Sequence, residues 1–140
     1  MIDLDKCIKK GLIRRITPSN EKAIQSLKKA EELLKEAKGN LREGRYNTVV
    51  IVSYLSIFNA ARSLLFKDGY REKSHACVAR YLEEKYSEGI PKDMIRMLDG
   101  CRTSRHSTQY DVGYYPSEEE ARELIKFSEE FMEKIRQIIH

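Results

Sequence analysis

The sequence has few residues that interrupt helices and none of the patterns that mark a secreted chain. Its 140 residues include only 7 Gly and 3 Pro, and Trp is absent. So few chain breakers argue against an all-β fold with many turns and favour long helices. We find no apolar run close to the roughly 18 residues that a membrane span needs, and the start MIDLDKCIKK lacks the apolar core of a signal peptide. A cytoplasmic chain without membrane contact is therefore expected.

Cysteine is also scarce, with Cys7, Cys77 and Cys101 as the three occurrences. Their number is odd, and no CxxC motif or His/Cys cluster accompanies them. This pattern favours free thiols in a reducing cytoplasm over a disulfide framework or a zinc site. Because glycine-rich phosphate loops and metal-spaced carboxylates are missing as well, we expect no metal and no cofactor.

Charge is plentiful and unevenly distributed. The length fits one domain over residues 1–140, with a net charge of +4. Residues 1–70 hold 14 Lys and Arg against 8 Asp and Glu, so the basic excess lies in the N-terminal half. The pairs Lys9-Lys10, Arg14-Arg15 and Lys28-Lys29 could guide a polyanion, although most such clusters are solvated faces.

Helical spacing and turn residues divide the chain into helices. They predict a short leading helix over 2–10 and main helices at about 19–39, 45–67, 74–86, 91–109 and 117–139. Gly39 is expected to end the first main helix, and Ser117 with Glu120 forms a capping box before the last. The helix at 45–67 is apolar almost all round, which is typical of a central helix. Short connections then predict an all-α, up-down antiparallel bundle of four to five main helices.

The predicted helix at 91–109 departs from its own apolar pattern. Helical geometry continues its inward face to Arg102 and Arg105, with His106 at the edge. The apolar part of that face consists of Met94, Ile95, Leu98 and Cys101. Because burying an unpaired arginine is costly, these side chains must find carboxylates, open into a cleft or meet a partner.

Two interpretations of this turn remain open. In the first, Arg102, Arg105 and Tyr110 bind phosphate, and Arg102 with His106 supports metal-free RNA cleavage, since arginine matches phosphate geometry and histidine transfers protons near neutral pH. In the second, both arginines pair with acids of neighbouring helices and His106 is a surface residue. Spacing alone favours the second interpretation, because structural ion pairs also place charges this way.

Two further features carry a functional and a structural interpretation. Ser74 and His75 open a predicted helix, where backbone N–H groups favour anions, but we interpret Ser74 as a helix cap with a neighbouring histidine. Tyr110, Tyr114 and Tyr115 surround a loop, where they either stack on bases or cover the end of the bundle.

Three short motifs carry a family resemblance. Along the chain they are Gly44-Arg45-Tyr46 before an apolar helix with Tyr54 and Phe58, Ser74-His75 at a helix start, and RTSRHSTQYD (102–111) followed by SEEEA (117–121). In these motifs, from about Ser19 to Ile139, the chain resembles the HEPN superfamily (higher eukaryotes and prokaryotes nucleotide-binding), specifically its compact prokaryotic branch.

The resemblance implies a helical bundle that usually dimerises. Many members are metal-independent endoribonucleases, often toxins of toxin–antitoxin pairs, and others accompany a small nucleotidyltransferase. Catalytic members carry Arg, four to six residues and then His, whereas three residues separate Arg102 from His106 here. The branch it most resembles has Arg followed by Tyr-Asp, matched by Arg105, Tyr110 and Asp111.

Three hypotheses for function follow. The first is a homodimeric regulatory module that acts with a nucleotidyltransferase or antitoxin partner and contacts nucleotide or RNA phosphate through Arg102, Arg105 and Tyr110. The second is a ribonuclease toxin in which Arg102 stabilises the phosphorane and His106 acts as base or acid. The third is a non-catalytic structural oligomer whose arginines are held in salt bridges.

Overall fold

The structure is a computed structural model that describes residues 2–139, and helices dominate it. In chain order its elements are α1 (Leu4–Lys9), β1 (Ile13–Arg15), α2 (Asn20–Arg42), α3 (Tyr46–Asp68), β2 (Tyr70–Glu72), α4 (His75–Lys85), α5 (Lys92–Tyr110) and α6 (Glu118–Ile139). The predicted all-α helical bundle is confirmed.

Two of the predicted helix starts are capped by the serine side chains that the sequence indicated. Ser19 caps α2 by accepting a hydrogen bond from the Lys22 N–H at 3.1 Å, and Ser117 accepts one from the Glu120 N–H at 3.1 Å. The prediction that Gly39 ends its helix is wrong, because α2 continues to Arg42. A single glycine lowers helix stability by only about 1 kcal/mol, which the packing of α2 against α3 outweighs.

The helix α3 is the core of the bundle. Its buried residues point in every direction around the helix axis and comprise Val49, Val50, Ser53, Tyr54, Ser56, Ile57, Phe58, Ala60, Ala61, Ser63, Leu64 and Leu65. By length and composition alone α3 could cross a membrane, so the expectation that no run reaches that length is wrong. Because 67% of that stretch is buried inside the bundle, the position of α3 in the core explains its apolar composition.

Small polar residues set the packing of α2 on α3. The Ser26 hydroxyl donates to the Asn59 carbonyl at 2.7 Å, and the Ser56 hydroxyl donates to the Ala30 carbonyl at 2.7 Å. Since the partner number falls as the α2 number rises, the two helices are antiparallel. The buried hydroxyls find acceptors on the neighbouring backbone, which removes the cost of burying them.

A two-stranded antiparallel sheet, which the sequence did not predict, lies at the end of this helix pair where α2 begins and α3 ends. Its register pairs Ile13 with Glu72, Arg14 with Arg71, and Arg15 with Tyr70. Each strand has three residues, too few for an alternating pattern to be recognised. We call this sheet the ribbon.

The expectation of three free thiols is wrong, because Cys7 and Cys77 form a disulfide. The bond joins α1 to α4 across a sequence separation of 70, and only the packing of these helices brings the two Cα atoms to 5.9 Å. Cys101 is free and buried, and burial raises the pKa of its thiol to about 12. Cysteine usage therefore no longer argues for a reducing compartment, and the cytoplasmic location stays a prediction.

The disulfide predicts a specific thiol count. Unfolded protein without reductant should react with a thiol reagent at Cys101 alone, and at all 3 cysteines after reduction. A Cys7→Ser/Cys77→Ser variant should lose about 2–5 kcal/mol of the free energy of unfolding, measured by denaturant titration. Three reactive thiols before reduction would show that the bridge does not form.

Gly69 is the residue whose replacement should damage the fold most clearly. Its φ is +89°, and an added Cβ would lie 2.8 Å from Pro18 Cγ and 2.9 Å from the Ile16 carbonyl oxygen. We expect Gly69→Ala to lower the free energy of unfolding by at least about 2 kcal/mol. Gly39→Ala is the matched control, and it should raise stability by about 0.5–1 kcal/mol because its site is helical and open. Equal effects of the two substitutions would contradict this account.

Candidate functional site

Side chains from α4 and α5 meet around an open pocket at the N-terminal end of α4. The pocket has a volume of about 410 Å³ and is lined by Ser74, His75, Ala76, Arg102, Thr103, Arg105 and His106. The structure thus brings Arg102, Arg105 and His106, which helical spacing placed on or beside one face of the helix, to one cavity. Tyr110, the fourth predicted site residue, is not among the side chains that line it.

His75 is held against the core helix by contacts on several sides. Its Nδ1 shares a 2.6 Å hydrogen bond with the Tyr54 hydroxyl, and its ring stacks on Phe58 with centroids 3.8 Å apart and an interplanar angle of 26°. Tyr54 and Phe58 are one helical turn apart on α3, so both contact the same imidazole. These contacts fix the orientation of the ring. Nε2, the other ring nitrogen, takes no part in the hydrogen bond to Tyr54.

Burial keeps both members of the Tyr54–His75 pair neutral. Burial lowers the pKa of His75 below its ordinary value, and nearby Arg105, Arg62 and Arg102 lower it further. Burial raises the pKa of Tyr54, although Arg105 and Arg102 oppose that rise. His75 is therefore an uncharged imidazole at neutral pH, able to accept or donate a single proton at Nε2 according to its tautomer.

Arg105 is positioned by an aromatic ring and by its own helix. Its guanidinium carbon lies 4.9 Å from the centre of the Tyr54 ring, a cation–π arrangement. One terminal nitrogen donates to the side-chain oxygen of Gln109 at 2.8 Å. Its Nε is buried and makes no hydrogen bond. The side chain is thus oriented by neutral groups, and its charge is left uncompensated.

Arg102 is the cation with the fewest partners in the pocket. Its Nε is also buried without a hydrogen bond, and no carboxylate of residues 2–139 lies within 4.0 Å of either Arg102 or Arg105. Asp99, which lines the adjoining surface with Arg102, is paired with Arg80 instead. The interpretation that acids of neighbouring helices hold both arginines is therefore wrong for the described chain.

The other two predicted residues lie at the edge of the site. His106 is exposed, and its ring lies 4.8 Å from that of Tyr110 at an angle of 43°. Tyr110 is 64% exposed and ends α5. This aromatic pair flanks the pocket without closing it.

The sequence interpretation understated one residue of the site. Ser74 takes the predicted N-cap position of α4, although its hydroxyl makes no cap hydrogen bond. His75, treated as the neighbour of that cap, instead belongs to the cluster with Tyr54 and the arginines. The available signal was a tyrosine hydroxyl on a helix that is apolar on every side, since a buried phenol requires a partner.

The site offers cations and an imidazole rather than ligands for a metal. Within residues 2–139 no group of three or more His, Cys, Asp and Glu side chains could hold a metal ion. Two guanidinium groups and the free N–H groups at the start of α4 favour an anion. Phosphate and carboxylate are the anions that arginine matches in geometry.

Comparison with known proteins identifies relatives for most of the chain. It is 25% identical over 115 residues to a UPF0332 protein of Archaeoglobus fulgidus, covering 81% of this chain and 92% of that one. It is 29% identical over 118 residues to a Methanocaldococcus jannaschii protein named "Putative toxin", covering 79% and 83% of the two chains. The family model of the HEPN domain matches residues 23–138, a range that includes α3, α4, α5 and the pocket between them. The chain therefore belongs to the HEPN family, as its motifs and helical bundle predicted.

Proposed function

We propose that this HEPN domain binds the phosphate of a nucleotide or of RNA in the pocket between α4 and α5. The observation that carries the proposal is the convergence of Arg102 and Arg105 on one cavity, with no carboxylate of residues 2–139 within 4.0 Å of either. Desolvating these charges costs free energy, and the contacts of Arg105 with Tyr54 and Gln109 leave its charge without a counter-charge. Binding an external anion supplies the missing partner.

The geometry of the pocket suits a phosphate group in particular. Arg102 and Arg105 come from one face of α5, and the same cavity is lined by Ser74, His75 and Ala76 at the N-terminal end of α4, where a helix favours an anion. His75 adds a neutral hydrogen-bonding nitrogen beside these charges. A regulatory role with a nucleotidyltransferase or antitoxin partner, and a homodimeric state, stay predictions from the family resemblance.

Removing either arginine should weaken binding of a fluorescein-labelled 12-nucleotide RNA, measured by anisotropy. We expect Arg102→Gln and Arg105→Gln each to raise Kd by about 10-fold to 100-fold, the value of one charge-assisted hydrogen bond. Arg96→Gln is the matched control on the same helix, because Arg96 is exposed and pairs only with Asp93. It should leave Kd almost unchanged.

The same variants separate a binding cleft from a structural role. Since Arg102 makes no ion pair within residues 2–139 and its buried Nε has no hydrogen bond there, the thermal midpoint of Arg102→Gln should stay within about 2 °C of wild type, a shift of less than about 1 kcal/mol. A large drop in the midpoint with unchanged RNA affinity would instead identify the arginine as part of the fold, and the proposal would fail.

A metal-independent ribonuclease is the second candidate function, and the state of His75 favours it. An imidazole kept neutral and fixed beside two arginines has the properties of a general base next to a phosphate. The relative from Methanocaldococcus jannaschii named a toxin is in keeping with this activity. His75 then takes the role of base that spacing alone had given to His106.

The reaction would need no group beyond these side chains. Where His75 Nδ1–H donates to Tyr54, its Nε2 lone pair accepts the proton of the ribose 2′-OH while the 2′-oxygen attacks phosphorus. The bond from phosphorus to the 5′-oxygen breaks, and the leaving oxygen takes a proton from His106 or water. The products are a 2′,3′-cyclic phosphate and a 5′-hydroxyl end, and Arg102 and Arg105 stabilise the charge of the phosphorane.

Cleavage of a mixed RNA in EDTA tests this candidate. We expect His75→Ala, His106→Ala and Arg102→Gln each to lower the cleavage rate by roughly 100-fold or more. Tyr54→Phe keeps the ring but removes the hydroxyl, so it should slow cleavage less than His75→Ala does while leaving RNA affinity unchanged. Cleavage that persists equally in all four variants would come from a contaminant. If the wild type cleaves no RNA, the ribonuclease candidate fails and phosphate binding remains the proposed function.

A further inference from the structure

The ribbon carries an arrangement of charge that does not serve its own stability. In the antiparallel register Arg14 lies directly opposite Arg71, and both side chains are exposed. Residues directly opposite each other share one face of a two-stranded sheet, and like charges there repel. The ribbon therefore presents an outer face with two adjacent cations where a pair of opposite charges would stabilise it.

The carboxylate of the ribbon does not relieve this repulsion. Glu72 belongs to the opposite, inner face together with Ile13, and it is buried and paired with Arg62 at 2.6 Å. Arg14 donates to the Gly11 carbonyl at 3.2 Å. Within residues 2–139 no carboxylate lies within 4.0 Å of Arg14 or Arg71.

A third cation extends this face. Lys73 follows Arg71 by two positions, so the alternation of a strand places both on the same face. Lys73 is exposed, and its backbone N–H donates to the Leu12 carbonyl at 2.7 Å, which prolongs the pairing by one bond beyond β2. No carboxylate of the described chain lies within 4.0 Å of Lys73. Arg15 lies opposite Tyr70, on the face of Ile13 and Glu72, with its guanidinium carbon 5.5 Å from the centre of the Tyr70 ring. We call Arg14, Arg71 and Lys73 the ribbon cations.

The ribbon leads directly into the pocket. Lys73 is followed by Ser74 and His75, which line the cavity with Arg102 and Arg105. Three residues separate Arg71 from His75, so their Cα atoms lie at most about 14 Å apart. A phosphate in the pocket would therefore have further cations within the length of a few residues.

We propose that the ribbon cations bind the backbone of an RNA strand that extends beyond the nucleotide held in the pocket. This inference rests on the proposed function and specifies its ligand as a chain of several nucleotides rather than a free mononucleotide. An RNA strand fits better than an acidic protein surface, because protein interfaces are anchored by aromatic or apolar side chains, whereas the exposed side chains of this face, Arg14, Arg71 and Lys73, are all cations. A phosphodiester backbone requires only a row of cations.

The test compares a short and a long ligand on the same variants. We expect Arg14→Ser/Arg71→Ser to raise Kd for a fluorescein-labelled 15-nucleotide RNA by roughly 10-fold and to lower the slope of log Kd against log salt by about 1.4, the contribution of two contacts to a single strand. Binding of AMP, followed by calorimetry, should not change. Lys28→Ser/Lys29→Ser on α2 removes the same charge from another exposed site and should change neither value.

A thermal unfolding measurement serves as the control that the ribbon variant is folded. Because the substitutions relieve a repulsion, its midpoint should equal or exceed that of wild type. Equal losses of RNA affinity in the ribbon variant and the α2 control would overturn the proposal, since the charge would then act without a defined site. Wild-type RNA affinity in the ribbon variant would also overturn the proposal, because the ribbon cations would then bind something other than RNA, such as an acidic protein. If wild type binds neither AMP nor RNA, the proposed function itself fails, which is a separate outcome.

Discussion

The hydrogen bond between Tyr54 and His75 is the contact on which the pocket depends. Tyr54 lies on a helix buried on every side and is itself 2% exposed, so its hydroxyl would be left unpaired without a partner from another helix. His75 supplies that partner from the start of α4, and Phe58 supports the ring one helical turn away. The core thereby fixes the position of the helix end that lines the pocket.

The neutral state of this pair controls the charge of the whole site. An ionised phenol or a carboxylate in place of Tyr54 would compensate Arg105, and a protonated His75 would repel both arginines. Neither occurs, because burial favours the neutral form of both groups; it outweighs the opposing effect of the arginines on Tyr54, and on His75 the arginines act in the same direction as burial. Asp99, one turn before Arg102, and Glu72, two positions before Ser74, are paired with Arg80 and Arg62. The chain thus concentrates uncompensated positive charge at one place, the kind of local inconsistency typical of functional sites.

The features that could be predicted from the sequence are those that depend on residues close together in the chain. The helices and the cap at Ser19 were predicted from local residue patterns. The placement of Arg102, Arg105 and His106 on or beside one helix face was predicted from helical spacing. The ribbon and the Cys7–Cys77 bridge join residues more than 50 positions apart, and nothing in their local sequence indicates a partner. The lack of a carboxylate partner for Arg102 and Arg105 in the described chain could not be predicted for the same reason, since only the fold shows that Asp99 is paired with Arg80.

His75 shows how a tertiary contact changes the meaning of a residue. By sequence it was the neighbour of a helix cap, and its role depends on a hydroxyl 21 positions earlier. Once the ring is fixed, phosphate binding and strand cleavage require different things of the same pocket. Binding uses the charge of Arg102 and Arg105, which every tautomer of His75 leaves intact. Cleavage also requires a lone pair on Nε2, and the tautomer in which Nδ1–H donates to Tyr54 provides it. The phenol of the core helix therefore decides whether the proposed phosphate site could also hold a general base.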